Sequence, residues 1–245
     1  MATTELQKQE KQEIGLRTHL EDGMQKNATQ FMAALGNDPS KVERWKTLLM
    51  MAVYRNPDLA ECDPGSLVAS TLEAAQFGLE FGPKQHSYLV PFKGKCTFLP
   101  SYRGLIHAAK RSGETKDIRA EAVYEKDAFE YELGLDKSLR HKPAIGDRGV
   151  LAAVYAVVKF ADGTVDFEVM SKSQVDHIKG KSNSPKGPWT TDYDEMAKKT
   201  VIKRICKRLD MGDQVASIIS YDNHYEEVAP APQMRMPEAI EEAKA

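Results

Sequence analysis

The sequence predicts an α+β fold: an antiparallel sheet with a β-hairpin, packed by flanking helices. Three observations carry it. Apolar residues recur at helical spacing as far as Phe77, segments rich in Val, Phe and Tyr run from His86 to Met170, and helical spacing returns at about Thr191. Helices, then strands, then helices is the order of an α+β domain.

Leu16, Leu20, Met24, Phe31 and Leu35 recur near helical spacing around Gly15 and Gly23, so a broken or weakly docked helix is expected there. Ser40 with Glu43 forms a capping-box pattern, and Val42, Trp45, Leu48, Leu49, Ala52 and Val53 mark one face of a helix ending near Asn56-Pro57. Asp63-Pro64 supplies a cap and a first-turn proline for a helix through Leu67, Thr71, Leu72, Ala75 and Phe77, stopped at Gly78. His86 to Phe92 and Lys95 to Leu99 flank Lys93-Gly94 and read as a β-hairpin with a basic turn. A helix follows from Ser101 to Ser112, closed by Gly113. Ile118 to Tyr124, Ala128 to Leu133, Gly149 to Phe160 and Val165 to Met170 read as an antiparallel meander, the last two strands joined by Ala161-Asp162-Gly163. A short helix near Ser173 to Lys179 leads to a mobile basic loop over 180–188, rich in Gly, Pro, Ser and Asn. Helices resume at about Thr191 to Leu209 and Asp213 to Tyr221. The expected organisation is a helical segment over residues 1–36, an α+β core over 37–227 and a disordered acidic tail over 228–245.

A chain of 245 residues, 41% hydrophobic and 29% charged, is long enough to bury a proper core. No apolar run reaches the length a bilayer requires, and the N-terminus lacks the apolar core of a signal peptide, so a cytoplasmic, reducing location is expected. Cys62, Cys96 and Cys206 are odd in number and form no CxxC pair, which reads as core thiols rather than a disulfide framework.

The net charge of −2 hides a partition. Ten basic residues between Lys172 and Arg208 face only Asp176, Asp192, Asp194 and Glu195, whereas the residues beyond are acidic. Met196 to Leu209 separates cleanly when wound at helical pitch. Val201, Ile202, Ile205, Cys206 and Leu209 share one side; Lys199, Lys203 and Lys207, with Arg204 and Arg208, cover the other with no carboxylate among them. Like charges at that spacing destabilise a free helix, so the cluster points to a polyanion, against the plainer reading of a solvated amphipathic helix. Lys198 falls over the apolar side near the helix start, as an edge residue or an anion contact. A second basic group comprises Lys84, Lys93, Lys95, Arg103, Lys110, Arg111 and Lys116, interleaved with Tyr88, Phe92, Phe98 and Tyr102. Core packing is the expected role of the hairpin aromatics, while Tyr102 and Trp189 are expected at the surface, where bases could stack.

Catalytic patterns do not compete. Gly180-Lys181-Ser182 imitates the end of a Walker A loop, but the leading glycine would fall at Val175. His19, His86, His107, His141, His177 and His224 form no local ligand spacing, so neither a metal nor a cofactor is implied. No GxSxG elbow or compact acidic cluster of nuclease type is present.

A series of landmarks then resembles the RecT family of phage and prophage single-strand annealing proteins, with Redβ more distant. They are Asn56-Pro-Asp-Leu-Ala-Glu-Cys-Asp-Pro-Gly-Ser66, Glu73-Ala-Ala-Gln-Phe-Gly-Leu79, Tyr88-Leu-Val-Pro-Phe92 and Tyr102-Arg-Gly-Leu-Ile106. The series continues with Val123-Tyr-Glu-Lys-Asp-Ala-Phe-Glu130, His141-Lys-Pro143, Val154-Tyr-Ala-Val157 and Lys198-Lys-Thr-Val-Ile-Lys-Arg204. Where family members often carry paired tryptophans before the last basic helix, this chain has Trp189 followed by Thr190. The resemblance implies ATP-independent annealing of complementary single strands in phage recombination, by a non-catalytic protein working as a ring or helical filament. A partner exonuclease or host single-strand binding protein is implied beside it. It also implies a basic groove holding DNA, with Arg103, Lys198, Lys199, Lys203, Arg204 and Lys207 as phosphate contacts and Lys84, Lys93, Lys181, Trp189 and Tyr102 in second rank. The N-terminal helices are the candidate subunit contact.

Overall fold

The computed structural model describes residues 2–181, 188–209 and 211–228. Its first half is helical. Helix α1 (Ala2–Lys26) and α2 (Ala28–Ala34) are separated at Asn27, whose side-chain amide donates to the Gly23 carbonyl at 2.8 Å. The break therefore falls at neither of the expected glycines. Gly23 serves close approach instead: a Cβ there would lie 2.8 Å from a methyl of Val68. Leu20, Met24, Phe31 and Leu35 are buried in the common core, so this segment packs with the rest of the fold.

Helix α3 (Pro39–Arg55) starts two residues earlier than the Ser40 capping box predicts. Asp38 is the cap, accepting from the Ser40 amide at 2.9 Å, and Pro39 supplies the first helical position. After the single turn α4 (Pro57–Ala60), helix α5 (Pro64–Phe77) is bounded as expected, by Asp63 accepting from the Ser66 amide at 2.8 Å and by Gly78 at φ 65°.

Strands β1 (Ser87–Phe92) and β2 (Lys95–Pro100) form the predicted hairpin, and positive φ at Lys93 (47°) and Gly94 (74°) makes the turn type I′. The hairpin is pinned to α5, since Ser70 Oγ donates to the Cys96 carbonyl at 2.9 Å and Ser66 Oγ accepts from the Cys96 amide at 2.8 Å. Helix α6 (Tyr102–Arg111) follows from a Ser101 cap.

The strand region departs from a simple meander. Strands β3 (Thr115–Tyr124), β6 (Leu151–Phe160) and β7 (Val165–Ser171) form one antiparallel sheet in the order β3-β6-β7, while β4 (Ala128–Glu132) pairs only with β5 (Ser138–Lys142). Strand β6 is central because both its faces carry apolar residues, with Val154, Tyr155, Ala156 and Val158 all buried. Strand β4 is exposed along almost its whole length and has no apolar face to offer that sheet. The β4–β5 hairpin is an arm inserted between β3 and β6.

Helix α7 (Lys172–Lys179) begins with a complete Ser171/Gln174 capping box. The short α8 (Pro188–Thr191) leads into α9 (Tyr193–Arg208), and α10 (Asp213–Val228) ends the described chain. Val201, Ile202, Ile205 and Cys206 are buried where α9 crosses β3, β6 and β7. Each such aliphatic side chain stabilises the fold by roughly 1.5–3 kcal/mol. Cys62, Cys96 and Cys206 are free and buried, and burial pushes the Cys96 and Cys206 thiols up to about 12. No helix of the described residues is long and apolar enough to cross a membrane. The expected basic loop falls mostly, and the acidic tail beyond Val228 wholly, outside the described residues.

Candidate nucleic-acid interface

The first turn of α6 is placed by local chemistry. Ser101 Oγ accepts from the Gly104 amide at 3.1 Å and donates to the Gln85 carbonyl at 2.5 Å, and the Ser101 amide donates to the His86 carbonyl at 3.0 Å. Gly104 allows this seat, since a Cβ there would stand 2.2 Å from the His86 oxygen. Tyr102 is thereby left half-buried and Arg103 exposed, with Arg103 Nη1 donating to Gln85 Oε1 at 2.9 Å. The Tyr102 phenol, then Tyr88 of β1 and Glu195 of α9, raise the Arg103 pKa above its ordinary value.

Helix α9 contributes Lys198, which is half-buried and pairs with Glu195 at 2.9 Å. Burial opposes its charge, yet Glu195, Tyr102 and Glu121 outweigh that penalty and raise its pKa. Burial pushes the Tyr88 phenol up, with Arg103 and Lys199 acting in the opposite direction. Tyr88, Tyr102, Arg103 and Lys198, drawn from a strand and two helices, thus share one electrostatic neighbourhood. Cations fixed beside phenol rings offer a nucleic-acid strand both phosphate neutralisation and a stacking surface.

The basic side of α9 is arranged differently from the sequence expectation. Lys199 and Lys203 point inward, at 2.8 Å and 2.7 Å from the two carboxylate oxygens of Asp222 on α10. Asp222 is 1% exposed; burial alone would raise its pKa, but the two ammonium groups hold it below the usual carboxylate range. Arg204 pairs with Glu168 at 2.9 Å, and Arg208 bridges Glu168 and Asp166 of β7. Carboxylates on neighbouring elements relieve the like-charge repulsion that the sequence assigned to an external polyanion. Lys207 remains exposed.

Trp189 is not a surface platform: it is 6% exposed and packs edge-on against Tyr193, 5.9 Å between ring centres. Lys84 is exposed but pairs with Glu80 at 3.3 Å, and Glu80 also takes the Arg44 guanidinium at 2.7 Å. Lys93 lies exposed at the hairpin turn, 5.1 Å from the Phe92 ring centre. Lys181 is exposed after α7.

Two polar constellations escape sequence reasoning. His86 and His107 stack with ring centres 4.2 Å apart, and His86 Nδ1 is buried with no hydrogen-bond partner among the described residues. The other constellation centres on Asp127, whose side chain is fully buried. It accepts from the Tyr124 and Ala144 amides at 2.9 Å, from Arg148 Nε at 2.9 Å, and from His141 Nε2 at 3.1 Å. The Arg148 guanidinium hydrogen bonds, with burial opposing, hold the Asp127 carboxyl far below its ordinary range. Arg148 also lies 4.2 Å over the Tyr124 ring, and the Tyr124 hydroxyl donates to Asp194 at the start of α9. The only sequence signal was that Tyr124, Asp127 and His141 fall within recognised landmarks; nothing in their spacing joins them to Arg148 or Asp194.

Comparison with known proteins agrees with the landmarks. The sequence model of the RecT family matches residues 43–234. Protein RecT of Escherichia coli (strain K12) is 35% identical over 190 residues, covering 74% of this chain and 71% of that protein. Uncharacterized protein YqaK of Bacillus subtilis (strain 168) is 27% identical over 194 residues, covering 72% of this chain and 66% of that protein. Taken with the α+β architecture and the cations gathered beside Tyr88 and Tyr102, these matches establish that the chain belongs to the RecT family, the DNA-binding, strand-annealing proteins of DNA recombination.

Proposed function

We propose that this chain grips single-stranded DNA by its phosphate backbone and, as an assembly of identical subunits, pairs complementary strands without ATP. The observation that carries the reading is the placement of the exposed Arg103 on α6 and the half-buried Lys198 on α9, two helices packed against each other, with Tyr88 and Tyr102 in their electrostatic neighbourhood. Two single strands repel each other, and neutralising their phosphates lowers that barrier while base edges stay free to pair. Arg103 and Lys198 are the leading contacts, with Lys207, Lys93, Lys84 and Lys181 extending the basic surface. Lys199 and Lys203 act mainly by fixing α9, because both ammonium groups are turned inward onto the buried Asp222; Arg204, tied to Glu168 of β7 but still exposed, adds to the surface. Neighbouring subunits set these surfaces side by side, as a ring or filament, so that modest affinity at one site becomes avidity along a strand. The N-terminal helices are the candidate contact between subunits, and a partner exonuclease supplies the single strands in the cytoplasm.

A passive single-strand coat and an undetected nuclease make different predictions. Complementary labelled oligonucleotides mixed with the protein, without nucleotide and with or without magnesium, pair faster than the bare strands on this reading. Slower pairing on protein-bound strands identifies a coat, and shortened strands on a denaturing gel identify a nuclease.

A further inference from the structure

The start of α9 is held in an unusual way. Its N-cap residue, Asp192, makes no side-chain capping bond. The helix is instead tied from both flanks: the Tyr193 hydroxyl donates to Asp176 of α7 at 2.6 Å, and Asp194 accepts from the Tyr124 hydroxyl. Tyr124 is itself rigid, with its amide on Asp127, its ring under Arg148, and Arg148 anchored to both Asp127 and the Ala122 carbonyl.

Asp194 stands four residues before Lys198, the spacing at which an acid and a lysine meet on a helix surface. Glu195 already occupies the Lys198 ammonium at 2.9 Å. A second carboxylate in reach would neutralise it further and compete with a phosphate. We infer that Tyr124 is a positioning residue for DNA binding: its hydroxyl engages Asp194 and thereby keeps that carboxylate off Lys198. The Tyr124 phenol is a donor at neutral pH in any case, and the contact with Asp194, aided by burial, pushes it further up, to about 12. This also gives the Val123–Glu130 landmark a role in binding although none of its residues is a proposed phosphate contact. The inference rests on the proposed interface.

The test uses the full-length protein and a labelled oligonucleotide at low salt, with thermal unfolding recorded for every variant. Tyr124→Phe keeps the ring and its stack on Arg148 but frees Asp194. It should weaken binding about two- to fivefold, an effect that shrinks as salt screens the competing charge. Adding Asp194→Asn to Tyr124→Phe removes the competitor and should restore wild-type affinity, whereas damage to the fold would not be repaired. Asp194→Asn alone should bind at least as tightly as wild type, which tests the idea even where Tyr124→Phe is unstable. Unchanged binding by Tyr124→Phe, or a double variant no better than Tyr124→Phe, overturns the positioning role. Lys198→Gln and Arg103→Gln report on the interface separately. If both bind as wild type, the interface and the positioning role fall together; if both weaken while Tyr124→Phe does not, only the positioning role falls.

Discussion

Asp222 is the residue on which the basic side of α9 depends. Two lysines meet its carboxylate in a nearly solvent-free site. Removing it by Asp222→Ala leaves both ammonium groups buried without that partner, and should cost about 3–5 kcal/mol, read from the midpoint of urea unfolding. Lys199→Gln and Lys203→Gln disturb the same site, so reduced DNA binding in either has to be read beside its stability. The charge pattern of α9 was fully legible in the sequence, but its meaning was not. Asp222 lies 23 and 19 residues from its two lysines, and Asp166 and Glu168 lie 42 and 40 residues from Arg208. Only the tertiary fold brings the compensating charges together. His86 supplies a pH prediction at the same scale. Burial, then His107, Lys84 and Arg103, lower its pKa from 6.5 to about 4, with Glu80 opposing. The unfolded chain then binds the proton more readily. The associated stability is complete above pH 6.5 and is lost progressively as pH falls towards 4. Unfolding midpoints measured from pH 7.5 to 5 should fall less steeply for His86→Asn than for the wild-type protein.

Among the elements, those specified by local chemistry were legible. Asp63 and Gly78 bound α5, Lys93-Gly94 closes its hairpin, and the apolar side of α9 was read correctly from spacing alone. Errors arose where two local signals competed or where pairing was long-range. Asp38-Pro39 took the start of α3 from Ser40, because a cap followed by proline pre-sets the first turn. Strand β5 was missed because only Leu139 and His141 alternate inward along an otherwise exposed segment. The pairing of β3 with β6 across the inserted arm has no sequence signature. The seat of α6 against the loop before β1 gives a prediction at this scale. Ala at position 104 would gain about 1 kcal/mol in helix propensity, but its Cβ would collide with the His86 carbonyl, a backbone atom that cannot swing aside. Gly104→Ala should therefore lower stability, by roughly 1–3 kcal/mol of overpacking, and displace Tyr102 and Arg103, visible as weaker oligonucleotide binding.

For the whole molecule, net charge is a poor guide to partner. A chain at −2 places Arg103 and Lys198 on two helices packed against each other, while much of its remaining basic charge is consumed by internal ion pairs. Family membership was legible from ordered landmarks, and several of these have structural roles, including the seat of α6 at Gly104 and the polar centre at Asp127. The central claim is that binding is backbone neutralisation by this surface, and its most direct test is the dependence of oligonucleotide affinity on salt. With about four phosphates neutralised per subunit, log K should fall with log salt at a slope of roughly −3 per subunit. Replacing Arg103 and Lys198 together with glutamine should make that slope shallower by about 1.4, in a protein that unfolds as wild type does. A slope near zero for the wild-type protein, or one that the double replacement leaves unchanged, would contradict the account.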